Sequence, residues 1–231
     1  MPSPDLRTEF RAGFLTAVAP CLGVIPFALL LGALAAEKGV STAETALMSA
    51  WVFAGSAQFA ALDTWKHPAP WLALGLLVLV VNLRHVFMSA SVLRRMERFS
   101  PIQRLLALPL LADEIWAFSE ARAARQPLTP AFFFGLAVPF YLTWILSCAV
   151  GTLLGALLRD PRAYGFDFAF IAIFVFLILG FRHKGGFVAT LVASAAAATV
   201  VHVVWPGPAS IIAGTLAGIL AAAATHAEDA A

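Results

Sequence analysis

Asn82, Arg84 and His85 stand within four residues of one another in the run Val81-Asn82-Leu83-Arg84-His85, near the middle of an otherwise apolar stretch, 71–92. An amide, a guanidinium and an imidazole so close together can hold a carboxylate, bond a polar neighbour or pass a proton. The stretch is long enough to cross a hydrocarbon core about 30 Å thick. At that depth an arginine costs roughly 2.5–3.5 kcal/mol on insertion scales, so the fold has to pair or solvate it. On a regular helix, at about 100° per residue, Asn82, His85 and Ser89 share one face while Arg84 and Ser91 lie nearly opposite. Neither face suits lipid, and the helix is expected either to be central or to unwind locally around a cavity. A purely structural use stands beside the functional one: Arg84 paired to an acid, Asn82 bonded to a neighbouring helix.

Candidate partners occur elsewhere in the chain. Asp113 and Glu114 are the expected internal counter-charges for Arg84 or His85, and a carboxylate beside an imidazole can load and release a proton. Adjacent residues point about 100° apart on a helix, so one of the two faces the cavity, with Asp113 favoured. In Phe53-Ala54-Gly55-Ser56-Ala57-Gln58-Phe59-Ala60 small residues permit close helix approach or a break, leaving Ser56 and Gln58 to offer hydrogen bonds. Pro20 and Pro26, with Gly23 between them, are expected to interrupt the first apolar stretch and free backbone carbonyls, for a substrate or for neighbouring helices. Pro139 is expected to act similarly. Asp63, Lys66 and His67 read as a solvated loop. Cys21 and Cys148 both sit in apolar stretches as small hydrophobes, so neither a disulfide, a metal site nor a cofactor is expected.

The elements that must position these groups follow from composition. The chain has 231 residues, 61% of them hydrophobic and 12% charged, where a soluble domain carries about twice that charge. A net charge of +2 with scattered basic residues does not point to nucleic acid. Hydropathy predicts membrane segments at 13–36, 43–62, 71–93, 131–158, 168–181, 187–205 and 209–225, with a short eighth candidate at 105–118 that carries Pro109. The fold class is all-α: a polytopic transmembrane helical bundle of seven to eight segments, some broken or re-entrant, in one domain, 1–231. The polar start of the chain lacks a basic region running into a short apolar core, so the first segment is expected to direct insertion.

Arg94, Arg95, Arg98 and Arg104 follow the third segment and place that loop in the cytoplasm. Eight regular spans would then put Arg7, Arg11, Arg122, Arg125, Arg182 and Lys184 outside. If 43–62 and 105–118 each dip in and return on the same side, all of these basic residues share the cytoplasmic face. A weak internal repeat is also suggested: Gly32-Ala33-Leu34-Ala35-Ala36-Glu37 followed by Gly39, against Gly155-Ala156-Leu157-Leu158-Arg159-Asp160 followed by Gly165. Paired repeats would suit a transporter with a site at mid-membrane.

Several blocks in order resemble the AzlC family of branched-chain amino acid permeases. They are Gly23-Val24-Ile25-Pro26 with Gly32, Phe53-Ala54-Gly55-Ser56-Ala57-Gln58-Phe59, Val81-Asn82-Leu83-Arg84-His85 with Ser89, Asp113-Glu114, and Gly165-Phe166-Asp167-Phe168-Ala169-Phe170. Ala112 and Ala28 depart from the family's frequent threonine and glycine. The resemblance implies export of hydrophobic amino acids across a bacterial inner membrane, with a small hydrophobic AzlD-type subunit as partner. On this reading Arg84 neutralises the substrate carboxylate, Asn82, Ser56 and Gln58 hydrogen-bond it, and Asp113 or Glu114 attracts the ammonium or takes a proton. A nucleotide-binding signature is lacking, so a secondary carrier driven by a proton gradient is expected. Rival readings are a channel for small polar solutes and a membrane hydrolase using Ser56 and His85. The hydrolase needs a base within reach of Ser56, which lies outside any nucleophile-elbow pattern.

Overall fold

A computed structural model of the chain describes residues 5–66, 68–157, 175, 178–179, 182–183, 185–205 and 209–229. The predicted segment 168–181 falls almost entirely outside them. His67, Lys184, the 165–170 block and the end of the second repeat copy, 158–160, lie outside them altogether. All regular structure among the described residues is helical, and the chain divides into two compact units, Met1–Phe166 and Asp167–Ala231.

The first unit is organised on two long helices, α1 (Leu6–Glu37) and α7 (Pro130–Leu157). They run parallel, because Gly13 meets Phe132 and Leu136 near one end while Gly32 meets Cys148 and Thr152 near the other. Contact is backbone to backbone. A Cβ on Gly32 would fall 2.1 Å from the Cys148 carbonyl oxygen, and one on Gly151 would fall 2.2 Å from that of Leu29. Lipid offers helices no hydrophobic reason to associate, so this close approach of small residues supplies dispersion contact instead. Gly32 and Gly155, which head the two copies of the suggested repeat, both lie in this seam. Helices running parallel would relate such copies by an axis along the bundle.

Pro20 and Pro26 do not interrupt α1, and Pro139 does not interrupt α7; both helices are assigned as continuous. The α1 surface buried in the seam is the stripe Gly13, Ala17, Val24, Ala28, Leu31 and Ala35, whereas Pro26 lies on the exposed side. There the ring displaces nothing in the packed face. After α1, Gly39 takes a left-handed conformation (φ 75°) that lets Val40 N–H reach back to the Ala35 carbonyl and close the helix end.

Between these helices the chain makes two broken hairpins and one long single helix. The predicted segment 43–62 is two helices, α2 (Thr42–Trp51) and α3 (Gly55–Asp63), separated by extended backbone at 52–54. The predicted segment 105–118 is likewise broken: α5 (Pro101–Ala107), one 3-10 turn containing Pro109, an extended pair at 111–112, then α6 (Asp113–Ala123). Between the hairpins runs α4 (Trp71–Leu93), regular throughout, so the local unwinding expected around Arg84 does not occur. Within the first unit α4 is not central: it buries Leu74, Leu77, Met88 and Val92, while the glycine seam between α1 and α7 holds the middle.

The contacts fix directions. Arg84 of α4 meets Asp113 of α6, and Ser91 and Arg95 meet Glu120, so α4 and α6 run parallel. Ser56 also meets Arg84, while the far end of α3 leads through a short loop to the start of α4, so α3 is antiparallel to α4. Arg122 at the end of α6 pairs with Glu9 at the start of α1. Arg7, Arg11, Arg94, Arg95, Arg98, Arg104, Arg122 and Arg125 therefore gather at one end of the first unit, and Lys38 and Lys66 at the other.

Among the described residues four helices are long and apolar enough to cross a membrane: α1, α4, α7 and α8 (Phe187–Val204). The second unit pairs α8 antiparallel with α9 (Ala209–Asp229), whose Gly214 and Gly218 pack on Ser194 while Gly186 meets Thr225.

Gly151→Ala should destabilise the protein by about 1–3 kcal/mol, since backbone has to move on both sides of the seam. Gly75→Ala on α4, where a Cβ meets nothing within 4 Å, should cost nothing and gain up to about 1 kcal/mol of helix propensity. Unfolding of the detergent-solubilised variants measures the contrast.

Candidate functional site

Arg84 is the fourteenth residue of α4, which puts it roughly 20 Å along the helix. Its guanidinium is held at two points: Nη2 donates to Ser56 Oγ at 2.8 Å, and Nη1 pairs with Asp113 Oδ2 at 2.9 Å. Both partners stand in the first turn of a helix that begins at this level. The N-caps, Ala54 and Ala112, are alanines in extended conformations that offer no side-chain acceptor to the helix start. Two half-helices thus present uncapped N-termini to one level of α4 from opposite directions. The positive ends of their dipoles and unpaired N–H groups make such termini receptive to anions. Asp113, the acid favoured by sequence, is the one that pairs with Arg84.

The rest of the polar run is less fully engaged. Asn82 Oδ1, Arg84 Nε and His85 Nδ1 are shielded from solvent and have no hydrogen-bond partner among the described residues. On the facing helix α6, Trp116 Nε1 and Ser119 Oγ are in the same condition. A shielded polar group left unpaired costs about 1–3 kcal/mol, so each of these atoms is open to a further polar partner. Ser56 Oγ is occupied by Arg84, and no hydrogen bond among the described residues joins it to His85, as the hydrolase reading would require.

Gln58 points to the other side of α3. It is wholly buried, its Nε2 donating to Ser49 Oγ and its Oε1 accepting from Trp144 Nε1, both at 2.9 Å. The amide therefore spans the break between α2 and α3 and ties both to α7. Trp144 also forms, with Phe27 and Phe59, an aromatic cluster against Gly55, where a Cβ would fall 2.8 Å from the indole and 3.0 Å from Phe27. Only glycine lets the rings approach the start of α3 so closely. Tyr141 Oη supports the same break by donating to the Ala50 carbonyl at 2.9 Å. Gly23 and Pro26 lie on the exposed face of α1, and no hydrogen bond among the described residues joins them to Arg84. Glu114 is adjacent to Asp113 in the first turn of α6 but makes no ion pair among the described residues.

Two polar clusters escaped the sequence reading, one on Glu9 and one on Glu120. Arg122 Nη2 donates to both Glu9 carboxylate oxygens at 2.7 and 3.0 Å, and Thr129 Oγ1 donates to Glu9 at 2.6 Å while accepting from Phe132 N–H as the cap of α7. Ser91 Oγ and Arg95 Nε both donate to Glu120. The signal for this last contact was present, since 84 and 91 on α4 and 113 and 120 on α6 share a seven-residue spacing that keeps each pair on one face.

Trp144→Phe removes the only donor to Gln58 Oε1 among the described residues and should destabilise the protein by about 1–3 kcal/mol, part of it from the smaller ring. Gln58→Leu in the same background should recover part of that loss; thermal unfolding of the single and double variants reads the difference.

The family described as AzlC protein matches residues 19–158, more than half of the chain. An uncharacterized membrane protein of Archaeoglobus fulgidus is 31% identical, over 95% of this chain and 97% of the relative. Inner membrane protein YgaZ of Escherichia coli is 27% identical, over 96% and 92%. The branched-chain amino acid transport protein AzlC of Bacillus subtilis is 25% identical, over 76% of this chain and 68% of the relative. No solved structure matches the chain.

Proposed function

The chain belongs to the AzlC family, and we propose that it exports branched-chain or other hydrophobic amino acids, such as valine, across the bacterial inner membrane as a secondary carrier. The observation that carries this reading is the convergence of two uncapped helix N-termini on Arg84 at mid-helix. Interrupted helices whose N-termini face an anionic substrate group are the recurrent solution of secondary transporters. The Bacillus relative's description as a branched-chain amino acid transport protein supports the substrate class.

In this mechanism the substrate carboxylate is received by the Arg84 guanidinium and the free N–H groups at the start of α3; Asn82, nearly opposite Arg84 on the regular helix α4, lies outside this contact. The aliphatic side chain lies against Phe27, Phe59 and Trp144, which border the same helix start. Asp113 competes with the substrate for Arg84. A proton taken by Asp113 weakens that ion pair and frees Arg84 for the carboxylate, which links proton movement to substrate binding; Glu114 and His85 pass the proton on. Gln58 belongs to this site as the support of the α2–α3 break. The hairpins α2–α3 and α5–α6 are re-entrant from opposite membrane faces, within a bundle of seven to eight segments. A small AzlD-type membrane subunit completes the transporter.

Two experiments test the proposal. With the partner co-expressed, cells loaded with valine should export it, and Arg84→Ala should slow export roughly 10–100-fold, the loss of one charge-assisted contact; Asp113→Asn should abolish its dependence on the pH gradient. Normal export by both variants would sink the site. For topology, cysteines at Glu97 and Gln126 should react with an impermeant thiol reagent only from the cytoplasm and one at Lys66 only from outside; reaction of Gln126→Cys from outside would refute the re-entrant hairpin.

A further inference from the structure

At the basic end of the first unit, the segments that follow α4 and α6 enclose a groove of about 390 Å³ whose lining includes Arg94, Arg95, Arg98 and Arg125, with Glu97 the one acid. A second hollow, about 430 Å³, shares Arg94 and Arg95 and runs along α4 past Phe87 and Ala90. Arg95 is engaged by Glu120 at 3.1 Å, whereas Arg94, Arg98 and Arg125 make no ion pair among the described residues. With Glu97 and Glu120 set against four arginines, two positive charges remain. The transport site has no use for them, since Arg94 stands ten residues beyond Arg84, roughly 15 Å along the helix axis.

Arginines at helix C-termini oppose the negative end of the dipole, and basic residues at one membrane face follow the positive-inside rule. Those tendencies explain the sign of the charge. They do not explain three arginines without an ion pair among the described residues lining one groove, or a hollow that leads from it past exposed apolar side chains. Phe87 is 76% exposed. A guanidinium fork matches a phosphate in geometry as well as charge, and basic pockets between helices on the cytoplasmic side are suited to anionic headgroups.

We infer that this groove seats one anionic phospholipid, its phosphate held among Arg94, Arg98 and Arg125 and an acyl chain laid along Phe87 and Ala90. The lipid bridges the end of α4 to the end of the α5–α6 hairpin. It thereby braces the hairpin that carries Asp113 from outside the transport path. Each cation near an anionic headgroup contributes about fivefold in affinity, so the three together are more than enough for a tenfold preference for an anionic over a zwitterionic lipid of the same chains.

Native mass spectrometry of the detergent-solubilised full chain, titrated separately with phosphatidylglycerol and phosphatidylcholine of identical acyl chains, tests this. Phosphatidylglycerol should be retained at least about tenfold more tightly, and the combined Arg94→Gln, Arg98→Gln and Arg125→Gln variant should lose that preference. Arg7→Gln with Arg11→Gln, which removes charge at the same end but outside the groove, should keep it. Should the triple variant fail to fold, Ala124→Trp fills the groove with every charge retained and should also lose the preference. Preference kept by the groove variants, or lost equally by the Arg7 and Arg11 variant, overturns the site. Displacement of the lipid by millimolar inorganic phosphate, with the phosphate itself retained on the same arginines, would make it a free-anion site and overturn the lipid assignment.

Discussion

A guanidinium in the middle of an apolar helix has to be answered by the chain around it, and Arg84 is answered twice, by Ser56 and by Asp113. Both answers come from helices that start at its own level. A continuous helix passing this depth would present only side chains; a helix that begins here presents a side chain, free N–H groups and the positive end of a dipole. Meeting Arg84 in this way requires two breaks, at 52–54 and 111–112, and each break exposes backbone that hydrocarbon does not tolerate unless protein covers it. Tyr141 supplies the Ala50 carbonyl with a donor, Phe53 packs edge-on to Phe140 and Tyr141, and the Gln58 amide bridges the first gap. Leu111 and Ala112 at the second break are themselves buried.

Those broken pieces depend on a frame that is not broken. The glycine seam between α1 and α7 holds two long helices backbone to backbone, and the supports of the α2–α3 break, Trp144 and Tyr141, project from α7. At the basic end, the buried Glu9–Arg122 pair and Thr129 tie the end of α6 to the starts of both frame helices. Loss of one member of such a pair costs about 3–5 kcal/mol, because its partner is left charged and buried. Midway along α4, by contrast, the Arg84–Asp113 pair is partly open, with 39% and 51% of the two side chains exposed. Ions locked at the end and accessible at mid-helix are the distribution expected of a protein that holds its frame while changing partners at its centre.

Much of this was legible in the sequence. Hydropathy isolates Arg84, and the need for a counter-charge leads to Asp113. The distribution of arginines favours a return of 43–62 and 105–118 to the face they left, and for the first unit the structure gathers the described arginines of its loops and helix ends at one end. Other features were read wrongly or not at all. Pro20 and Pro26 announced a break that α1 does not make, since a proline on an exposed helix face disturbs no packing. Polar groups on both faces of α4 suggested a central helix, whereas within the first unit α3 and α6 engage Arg84, Ser91 and Arg95 and leave Asn82 Oδ1 unpaired among the described residues. Glu9, Arg122 and Thr129 lie near helix ends, where solvated polar residues are ordinary, and only three-dimensional closeness reveals them as a cluster. Gln58 stood out by type, but nothing in its neighbours announced Trp144, 86 residues away.

The central claim is that Arg84 exchanges Asp113 for a substrate carboxylate instead of serving the fold alone. Exchanging the charges separates the two roles: Arg84→Asp combined with Asp113→Arg keeps an ion pair between the same helices but places the cation on α6. The measurement is valine export by the double variant, set beside its unfolding temperature and those of the two single reversals. The account predicts that the double variant regains much of the stability lost by each single reversal while export stays abolished. Export restored to the unsubstituted level would show that only the pair itself matters, and would contradict a carboxylate-binding role for Arg84.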